Sequence, residues 1–379
     1  MTAPSPAQTA PKLVIVTHEF APFRGGVATY VSEVASVLQR LGANVEVWAP
    51  DIAGGAGEVD SFPVVRLRAG GSLRPKHTWQ FARELRARHA ELEQATVILA
   101  SVGAHTAFML NASLGRARAK RLVSVLHGSE VLRFARNPFW RLLAARFYRR
   151  VDEVVTNSQF SRALIEKSFL GALAGKITLA PCACSSAAAR AVTVKPASDG
   201  KVRVFTLARI HPRKGQLETA RALGQLPAEL RQRVIYQTGG TGDAAYLRQV
   251  ERACREAGVA FAHFGAVESG ALAETYAQCD IYAMTSRTLP QSVEGFGITY
   301  LEAGFHGKPV VGYRSGGVAE AVVDGETGLL VEEGDLAGLT AVFARLIEDR
   351  GLRERLGAGG KRHAANFSWE NTARVFQHF

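Results

Sequence analysis

The chain has 379 residues, 47% of them hydrophobic, so it is long enough for two packed domains and too apolar to be disordered. No apolar run approaches the ~20 residues of a membrane-spanning helix. Four scattered cysteines favour a reducing, cytoplasmic location without disulfides or a structural metal. Residues 1–10 lack the apolar segment of a signal peptide and are predicted to form a disordered tail.

The formal net charge of +12 is unevenly distributed along the chain. Residues 1–190 contain 24 Lys and Arg against 13 Asp and Glu, whereas residues 191–379 contain 22 against 21. A basic half beside a neutral half indicates that the first half faces an anionic surface. Because the sequence has no aromatic-rich nucleic-acid module or arginine-rich tail, we expect no nucleic-acid partner, and a membrane surface or lipid-linked substrate fits better.

Strands and helices alternate in the first half. A β-branched run at 12–22, which ends in a Pro-containing loop, predicts the first strand. Gly25 and Gly26 then open a helix predicted at 27–41, and a second strand follows at 44–50. This βαβ unit with a glycine-rich first turn predicts a doubly wound parallel sheet. The two glycines can present amides to a phosphate or can simply form a tight turn, and the tight turn is the commoner case.

Two later helices of the first half are basic. The helix at 74–89 has Trp79 among its arginines and is the better candidate for contact with an anionic membrane. The helix at 137–150 has one apolar stripe, formed by Phe139, Leu142, Leu143 and Phe147. That stripe can lie on a membrane or pack on its own sheet, and the strand that follows at once favours packing.

A linker is predicted at 185–200, after which the alternation starts again and forms a second α/β unit. In this half, polar residues follow the predicted strands, where open α/β sheets bind ligands. Arg209 and Lys214 lie in the loop of ARIHPRKG, and two cations there suit a diphosphate. Taken alone, however, a basic residue in a loop is usually solvated.

The segment VEGFGITYLEAGFHGKP contains two glutamates, Glu294 and Glu302, separated by eight positions. This spacing predicts that they lie on roughly the same face of one helix. A helix is predicted at 298–305, behind a GFG turn with free amides, and such a start can hold a hydroxyl-rich, phosphate-bearing ligand. The alternative is a pair of solvated glutamates near a helix start.

Together these segments resemble a known family, the retaining GT-B glycosyltransferases of glycosyltransferase family four (group 1 type). The resemblance rests on EGFGITYLEAGFHGKPVV, SGGVAEAVVDGETGLLV, LARIHPRKG, LHGSE and the GGV turn, in that family's order along nearly the whole chain. It implies two Rossmann-like α/β/α domains with parallel sheets facing across a cleft. The acceptor domain would be 11–190 and the nucleotide-sugar domain 191–365, with a terminal helix at 366–379 packing back toward the first domain.

The resemblance also implies roles for the catalytic residues. Glu294 would bind hydroxyls of the donor sugar, without acting as a nucleophile. Arg209 and Lys214 would hold the diphosphate and stabilise the charge that grows on the leaving group. His127 would contact the transferred sugar near the reacting carbon; without the resemblance it could be an ordinary histidine at a strand end.

Four further residues are implied in donor binding. Gly26 would let its backbone approach the phosphates, the amides of Gly297 and Ile298 would help bind the sugar and phosphate, and Glu302 would hold the ribose hydroxyls. The chain departs from the family where relatives have an Asn-Gly-Val-Asp type sequence, because it has PCACSS at 181–186. The contacts on the hinge side of the cleft are therefore in doubt.

The function implied is transfer of a hexose-type sugar, with retention, from a UDP- or GDP-linked donor to a lipid-linked or saccharide acceptor, in cell-envelope polysaccharide or glycolipid biosynthesis. An isoprenoid-linked acceptor is the leading hypothesis. No metal and no cofactor besides the nucleotide-sugar substrate are expected, and the protein is expected in the cytoplasm, peripherally at the inner membrane face. The alternatives are a small soluble acceptor, a non-hydrolysing sugar-nucleotide epimerase of similar architecture, or a non-catalytic sugar-nucleotide-binding partner.

Overall fold

The computed structural model describes residues 11–23, 25–52, 61–194 and 199–378. These residues form two parallel β-sheets, each covered by helices on both faces. The tail predicted at 1–10 lies outside the described residues. None of the helices in the described part of the chain has the length and hydropathy of a transmembrane span.

The first sheet has seven parallel strands in the order β3-β2-β1-β4-β5-β6-β7. The strands are β1 (Leu13–Val16), β2 (Val45–Pro50), β3 (Val64–Leu67), β4 (Thr96–Leu99), β5 (Arg121–Leu126), β6 (Glu153–Thr156) and β7 (Ile177–Leu179). The order reverses at β1, so the loops after β1 and β4 open at the sheet's switch point. The doubly wound parallel sheet predicted from the first βαβ unit is confirmed.

In the part of the chain that the structure describes, seven α-helices lie between these strands. They are α1 (Gly26–Arg40), α2 (Pro75–Ala87), α3 (His89–Glu93), α4 (Val102–Ser113), α5 (Ser129–Ala135), α6 (Pro138–Tyr148) and α7 (Gln159–Glu166). Alternate residues of a strand point to opposite faces of the sheet. Accordingly, Ile15 packs in one core with α1, while Val14 and Val16 pack in another with α2, α4 and α6.

Helix α6 corrects part of the packing predicted for its apolar stripe. Phe147 is buried and Leu143 is half-buried against the core, as expected. Phe139 and Leu142, however, are 64% and 63% exposed. The buried residues of α6 are confined to its last five positions, so only its C-terminal end reaches the core of the first sheet.

The second sheet has six parallel strands in the order β10-β9-β8-β11-β12-β13. The strands are β8 (Val202–Leu207), β9 (Val234–Gly239), β10 (Ala260–His263), β11 (Ile281–Met284), β12 (Val310–Tyr313) and β13 (Gly328–Val331). The helices that follow β7 are α8 (Gln216–Gly224), α9 (Ala228–Arg231), α10 (Ala244–Ala257), α11 (Leu272–Gln278), α12 (Ile298–Phe305), α13 (Val318–Ala321), α14 (Leu336–Glu348), α15 (Arg350–Ala364) and α16 (Trp369–Arg374).

The bounds of α12 agree with the helix predicted at 298–305, but the placement of the two glutamates on one helical face was wrong. Only Glu302 lies on the helix, and Glu294 lies four positions before it. The helix cannot extend backward, because Gly297 adopts a left-handed φ of 93° at the N-cap. The position of the Glu294 side chain is therefore set by the turn before α12 and not by the helix itself.

The connection between the sheets has no helix or strand in its described residues, as predicted for a linker. Its first residues nevertheless bind both halves of the chain. The Ser185 hydroxyl donates to Glu302, and the Ser186 hydroxyl donates to Glu33 of α1 at 2.7 Å. The last helix, α16, also returns to the first half of the chain, where the Trp369 ring packs edge-on against the Tyr30 ring of α1 with 5.8 Å between ring centroids.

Candidate functional site

The cleft between the two sheets is closed on one side by a backbone contact. A Cβ atom on Gly295 would overlap the carbonyl oxygen of His127, so only glycine fits there. Next to it, the Ser129 hydroxyl donates to the Val293 carbonyl at 3.3 Å. The turn before α12 therefore lies directly against the loop that follows β5, and Glu294 and His127 belong to one region.

Glu294 is the centre of a buried charge cluster. It is 9% exposed, and its Oε2 accepts from Arg213 Nη1 at 2.9 Å, Lys214 Nζ at 2.6 Å and Ser286 Oγ at 3.0 Å. Burial alone would raise the pKa of this carboxyl, but Lys214 and Arg213 outweigh burial and lower it to about 2. Glu294 is therefore an anion at neutral pH, and its Oε1 has no hydrogen-bond partner among the described residues.

A tight turn after β8 places both cations. Pro212, Arg213 and Lys214 form a single 3-10 turn, in which the ring of His211 accepts the Arg213 N–H at 3.1 Å. Gly215 ends the turn in a left-handed conformation, and a side chain there would overlap Thr285. The turn directs Arg213 and Lys214 to the same carboxylate oxygen.

Arg213 was missed by the sequence analysis, although it directly precedes Lys214. An arginine in a strand-end loop is expected to be solvated, whereas this one is 9% exposed. Burial, together with the neighbouring Arg213, lowers the pKa of Lys214 to about 8 despite the attraction of Glu294. The cluster thus holds two cations around one carboxylate, and the lysine is the one that can lose its proton.

Among the described residues, Arg209 is not hydrogen-bonded to this cluster, although its positive charge adds to the effect of burial in lowering the pKa of Lys214. The Arg209 side chain is exposed and forms no salt bridge within the described ranges. Its charge acts on Glu19, which follows β1: burial raises the pKa of the Glu19 carboxyl, and Arg209 opposes that rise. Arg209 therefore faces the first sheet across the cleft, with its guanidinium available to an anion.

His127 is enclosed by the first domain. Its ring packs edge-on against the Tyr30 ring, with 5.1 Å between ring centroids. Its Nδ1 atom lies 3.5 Å from the side-chain amide nitrogen of Asn157. Burial lowers the pKa of His127 to about 4, so the imidazole is neutral at physiological pH. Its Nε2 is buried without a hydrogen-bond partner in the described part of the chain.

Glu130 supports the His127 loop and was also missed, although it is the last residue of LHGSE. Its carboxylate accepts the backbone N–H of His127 at 3.0 Å. The side chain is 3% exposed, and burial raises its pKa to about 7. Glu130 fixes the backbone between β5 and α5, which holds His127 at the cleft.

Glu302 lies on the hinge side of the cleft. One carboxylate oxygen accepts from the Ser185 hydroxyl and the other from the Tyr276 hydroxyl at 2.6 Å. Burial raises its pKa, and these two hydroxyls counter that effect. Ser185 belongs to the PCACSS segment that departs from the family pattern, so this segment does contact the site. Tyr276 was not identified from the sequence.

The three remaining predicted positions lie at helix starts. Gly26 is the first residue of α1, and no atom lies within 4 Å of the place where its Cβ would be. Gly297 caps α12 and Ile298 is its first residue. First-turn amides of a helix have no partner within the helix and attract anions. Both helices therefore offer free N–H groups near the site.

Comparison with known proteins gives one consistent result. The family described as "Glycosyltransferase Family 4" matches residues 24–185, and that described as "Glycosyl transferases group 1" matches residues 190–363. The chain is similar to a GDP-mannose-dependent alpha-(1-6)-phosphatidylinositol monomannoside mannosyltransferase from Mycolicibacterium smegmatis, with 30% identity over 380 residues and 94% of each chain covered. The protein of the same name from Mycobacterium tuberculosis is 30% identical over 386 residues, and the match covers 97% of each chain.

Solved structures agree on the fold. Sucrose-phosphate synthase from Thermosynechococcus elongatus superposes with a TM-score of 0.80 over 97% of this chain and 98% of its own, at 19% identity. The predicted architecture, two Rossmann-like domains with parallel sheets, is confirmed.

Proposed function

Because the chain belongs to glycosyltransferase family 4 of the group 1 type, it is a glycosyltransferase, and we propose that its donor is GDP-mannose and its acceptor a phosphatidylinositol mannoside or a related lipid-linked saccharide. The donor and acceptor are those named for the relatives that match the whole chain. The observation that best supports a nucleotide-sugar site is the buried cluster of Glu294, Arg213, Lys214 and Ser286 beside His127.

In the proposed mode of binding, Glu294 receives the sugar. Its Oε2 is saturated by three donors, which leaves Oε1 to accept from a sugar hydroxyl. An anion with a fixed orientation suits this task, because it binds hydroxyl donors without having to reorganise. Lys214 contacts the diphosphate, and Arg209, exposed and unpaired among the described residues, contacts it from the open side of the cleft.

Glu302 is proposed to bind the ribose. Both of its present partners, Ser185 and Tyr276, are hydroxyl groups. A ribose offers two adjacent hydroxyls of the same donor type and would replace one or both. Gly26, Gly297 and Ile298 would contribute backbone N–H groups to the phosphates and sugar.

The proposed reaction retains the anomeric configuration. The bond between the sugar C1 and the diphosphate oxygen breaks as the acceptor oxygen attacks C1 from the same face. The acceptor hydroxyl gives its proton to the departing diphosphate, whose negative charge Arg209 and Lys214 stabilise. His127 contacts the sugar near C1, which gains positive charge as its bond to the diphosphate breaks. Because His127 is neutral, it adds no repulsive positive charge beside that carbon.

The acceptor is proposed to come from the cytoplasmic face of a membrane. The excess of basic residues in the first 190 residues favours an anionic lipid surface, and helix α2 presents Trp79 at 62% exposure beside Arg83. A lipid acceptor would then meet the domain that holds His127.

The test is a donor screen with GDP-mannose, UDP-glucose and UDP-N-acetylglucosamine. We expect GDP-mannose to raise the melting temperature, to be hydrolysed slowly alone, and to yield an α-mannosylated product with extracted phosphatidylinositol mannosides. NMR of the new anomeric proton reports retention. Interconversion of the donor without any acceptor would instead indicate an epimerase, and product formation only with a water-soluble acceptor would reject the lipid acceptor. No binding and no turnover with any donor would overturn the proposal.

A further inference from the structure

The α5–α6 hairpin presents an unusual surface to solvent. Phe139 and Leu142, one helical turn apart on α6, are 64% and 63% exposed. Arg136, Arg141 and Arg146 are exposed around them. We call these five residues the α6 surface.

The charge around this surface has a single sign. Residues 131–151 contain six arginines and no aspartate or glutamate. These are Arg133, Arg136, Arg141, Arg146, Arg149 and Arg150. None of them forms a salt bridge to another residue that the structure describes, and Arg141 lies over the ring of Phe169 at 5.8 Å. The positive charge is therefore available to an external anionic partner.

The α6 surface is also close to the cleft. Helix α5 begins at Ser129, which donates to the Val293 carbonyl in the cleft, and is seven residues long. At ~1.5 Å per residue, α5 places the start of α6 about 10 Å from that contact. A molecule bound at the α6 surface thus lies within reach of His127.

We propose that the α6 surface docks the protein on an anionic lipid bilayer, with Phe139 and Leu142 inserted among the lipid headgroups and the arginines on the lipid phosphates. Exposed apolar side chains ringed by basic residues are typical of helices that lie in a membrane interface. This inference rests on the proposed function, because a lipid acceptor needs the cleft to open toward the bilayer. It also assigns the main contact to α6, whereas the sequence favoured the helix at 74–89.

The experiment measures sedimentation of the full-length chain with vesicles of phosphatidylcholine, alone or with phosphatidylglycerol. The wild type should bind only the vesicles with phosphatidylglycerol, and more weakly at high salt. Arg141→Glu with Arg146→Glu should weaken binding about thirtyfold or more. Phe139→Ser with Leu142→Ser should weaken it about tenfold or more.

Matched controls lie elsewhere on the molecule. Arg248→Glu with Arg255→Glu changes two exposed arginines of α10, and Leu41→Ser changes an exposed leucine at the end of α1, on the opposite face of the first sheet. Both should bind vesicles like the wild type.

Two results would overturn the inference: unchanged vesicle binding by both α6 double variants, or loss of binding in the α10 control to the same extent. If Arg83→Glu, Arg86→Glu and Arg88→Glu abolish binding while the α6 variants bind normally, the contact belongs to α2. GDP-mannose hydrolysis without vesicles is measured in parallel and should be equal in all variants. Absence of binding and of turnover with every donor in the screen, together with the expected vesicle results, would refute the proposed function and leave the docking surface standing.

Discussion

The two cations at Glu294 differ in how firmly their charge is held. Arg213 is buried, and the guanidinium group of an arginine carries a permanent positive charge. Lys214 has a pKa lowered to about 8, chiefly because it is buried. Arg213 thus supplies the permanent partner of Glu294, which in the proposed mode of binding lets Lys214 turn toward the diphosphate.

Replacing Arg213 should separate this positioning role from ligand binding. Arg213→Leu leaves a buried carboxylate with one partner fewer and should lower the free energy of unfolding by about 3–5 kcal/mol, measured by urea denaturation. The matched control is Arg209→Leu, at an exposed residue, which should change stability by less than ~0.5 kcal/mol while weakening donor binding. Equal stabilities for the two variants would contradict the role assigned to Arg213.

The pKa of Lys214 predicts two opposite pH trends. Lys214 is charged below pH 8 and neutral above it, so kcat/KM for the donor should fall as pH rises through about 8. In the unfolded chain its pKa is near the ordinary 10.5, so between pH 8 and 10.5 the unfolded state binds more protons. Over that window this residue therefore makes the free protein more stable as pH rises. Lys214→Arg should remove both trends, and persistence of the kcat/KM decline in that variant would exclude Lys214 as its source.

At the scale of the secondary-structure element, α16 illustrates how a short helix is held. It has six residues, too few to be stable alone. Trp369 is 5% exposed, packs against Tyr30, and donates its indole N–H to the Cys184 carbonyl at 2.8 Å. Arg40 adds an ion pair to Glu370 at 3.0 Å. The helix is therefore fixed by α1 and by the segment just before the linker.

Trp369→Ala should remove this attachment. The expected loss in free energy of unfolding is about 3–5 kcal/mol, because a large buried aromatic side chain leaves a cavity. Trp79→Ala is the control, since Trp79 is 62% exposed on α2. Denaturant midpoints measure both, and a loss at Trp369 no greater than that at Trp79 would show that α16 is not attached through this residue.

At the scale of the whole molecule, Glu320 of α13 links the two sheets. Its carboxylate oxygens accept the backbone N–H of Gln159 at 2.7 Å and of Phe160 at 2.8 Å, at the start of α7. A carboxylate at a helix N-terminus is stabilised by the unpaired amides and the helix dipole. This contact holds the domains in the arrangement that brings Gly295 against His127.

Glu320→Gln should therefore favour a more open molecule. The side chain keeps its size but loses its charge and one hydrogen-bond acceptor. Because hydrogen bonds to a charged group stabilise a contact more than neutral ones, the closed arrangement should be weakened and kcat/KM should fall about tenfold or more. Small-angle scattering with GDP bound should give a larger radius of gyration than for the wild type. Glu332→Gln, at an exposed residue paired with Arg314, is the control and should change neither quantity. An unchanged radius together with unchanged kcat/KM would show that Glu320 does not hold the domains together.

The sequence by itself determined the elements and the family. Alternation of apolar strands and amphipathic helices predicted two parallel α/β units, and the helix at 298–305 was correct to the residue. These properties are local, because hydrophobic period and turn chemistry involve neighbours within a few positions. The glutamate segment and the cation loop likewise pointed to Glu294 and Lys214, which the structure brings together at 2.6 Å, and their role in donor binding stays a prediction.

Tertiary structure alone decided which groups meet. Arg213 contacts Glu294 across 81 positions and Ser185 contacts Glu302 across 117, so no local pattern could pair them. The same holds for Glu320 and α7, which depend on how two separate sheets face each other. It holds also for Phe139 and Leu142. Their stripe has a helical period in either environment, and only the tertiary structure shows that the N-terminal part of α6 stays exposed to water.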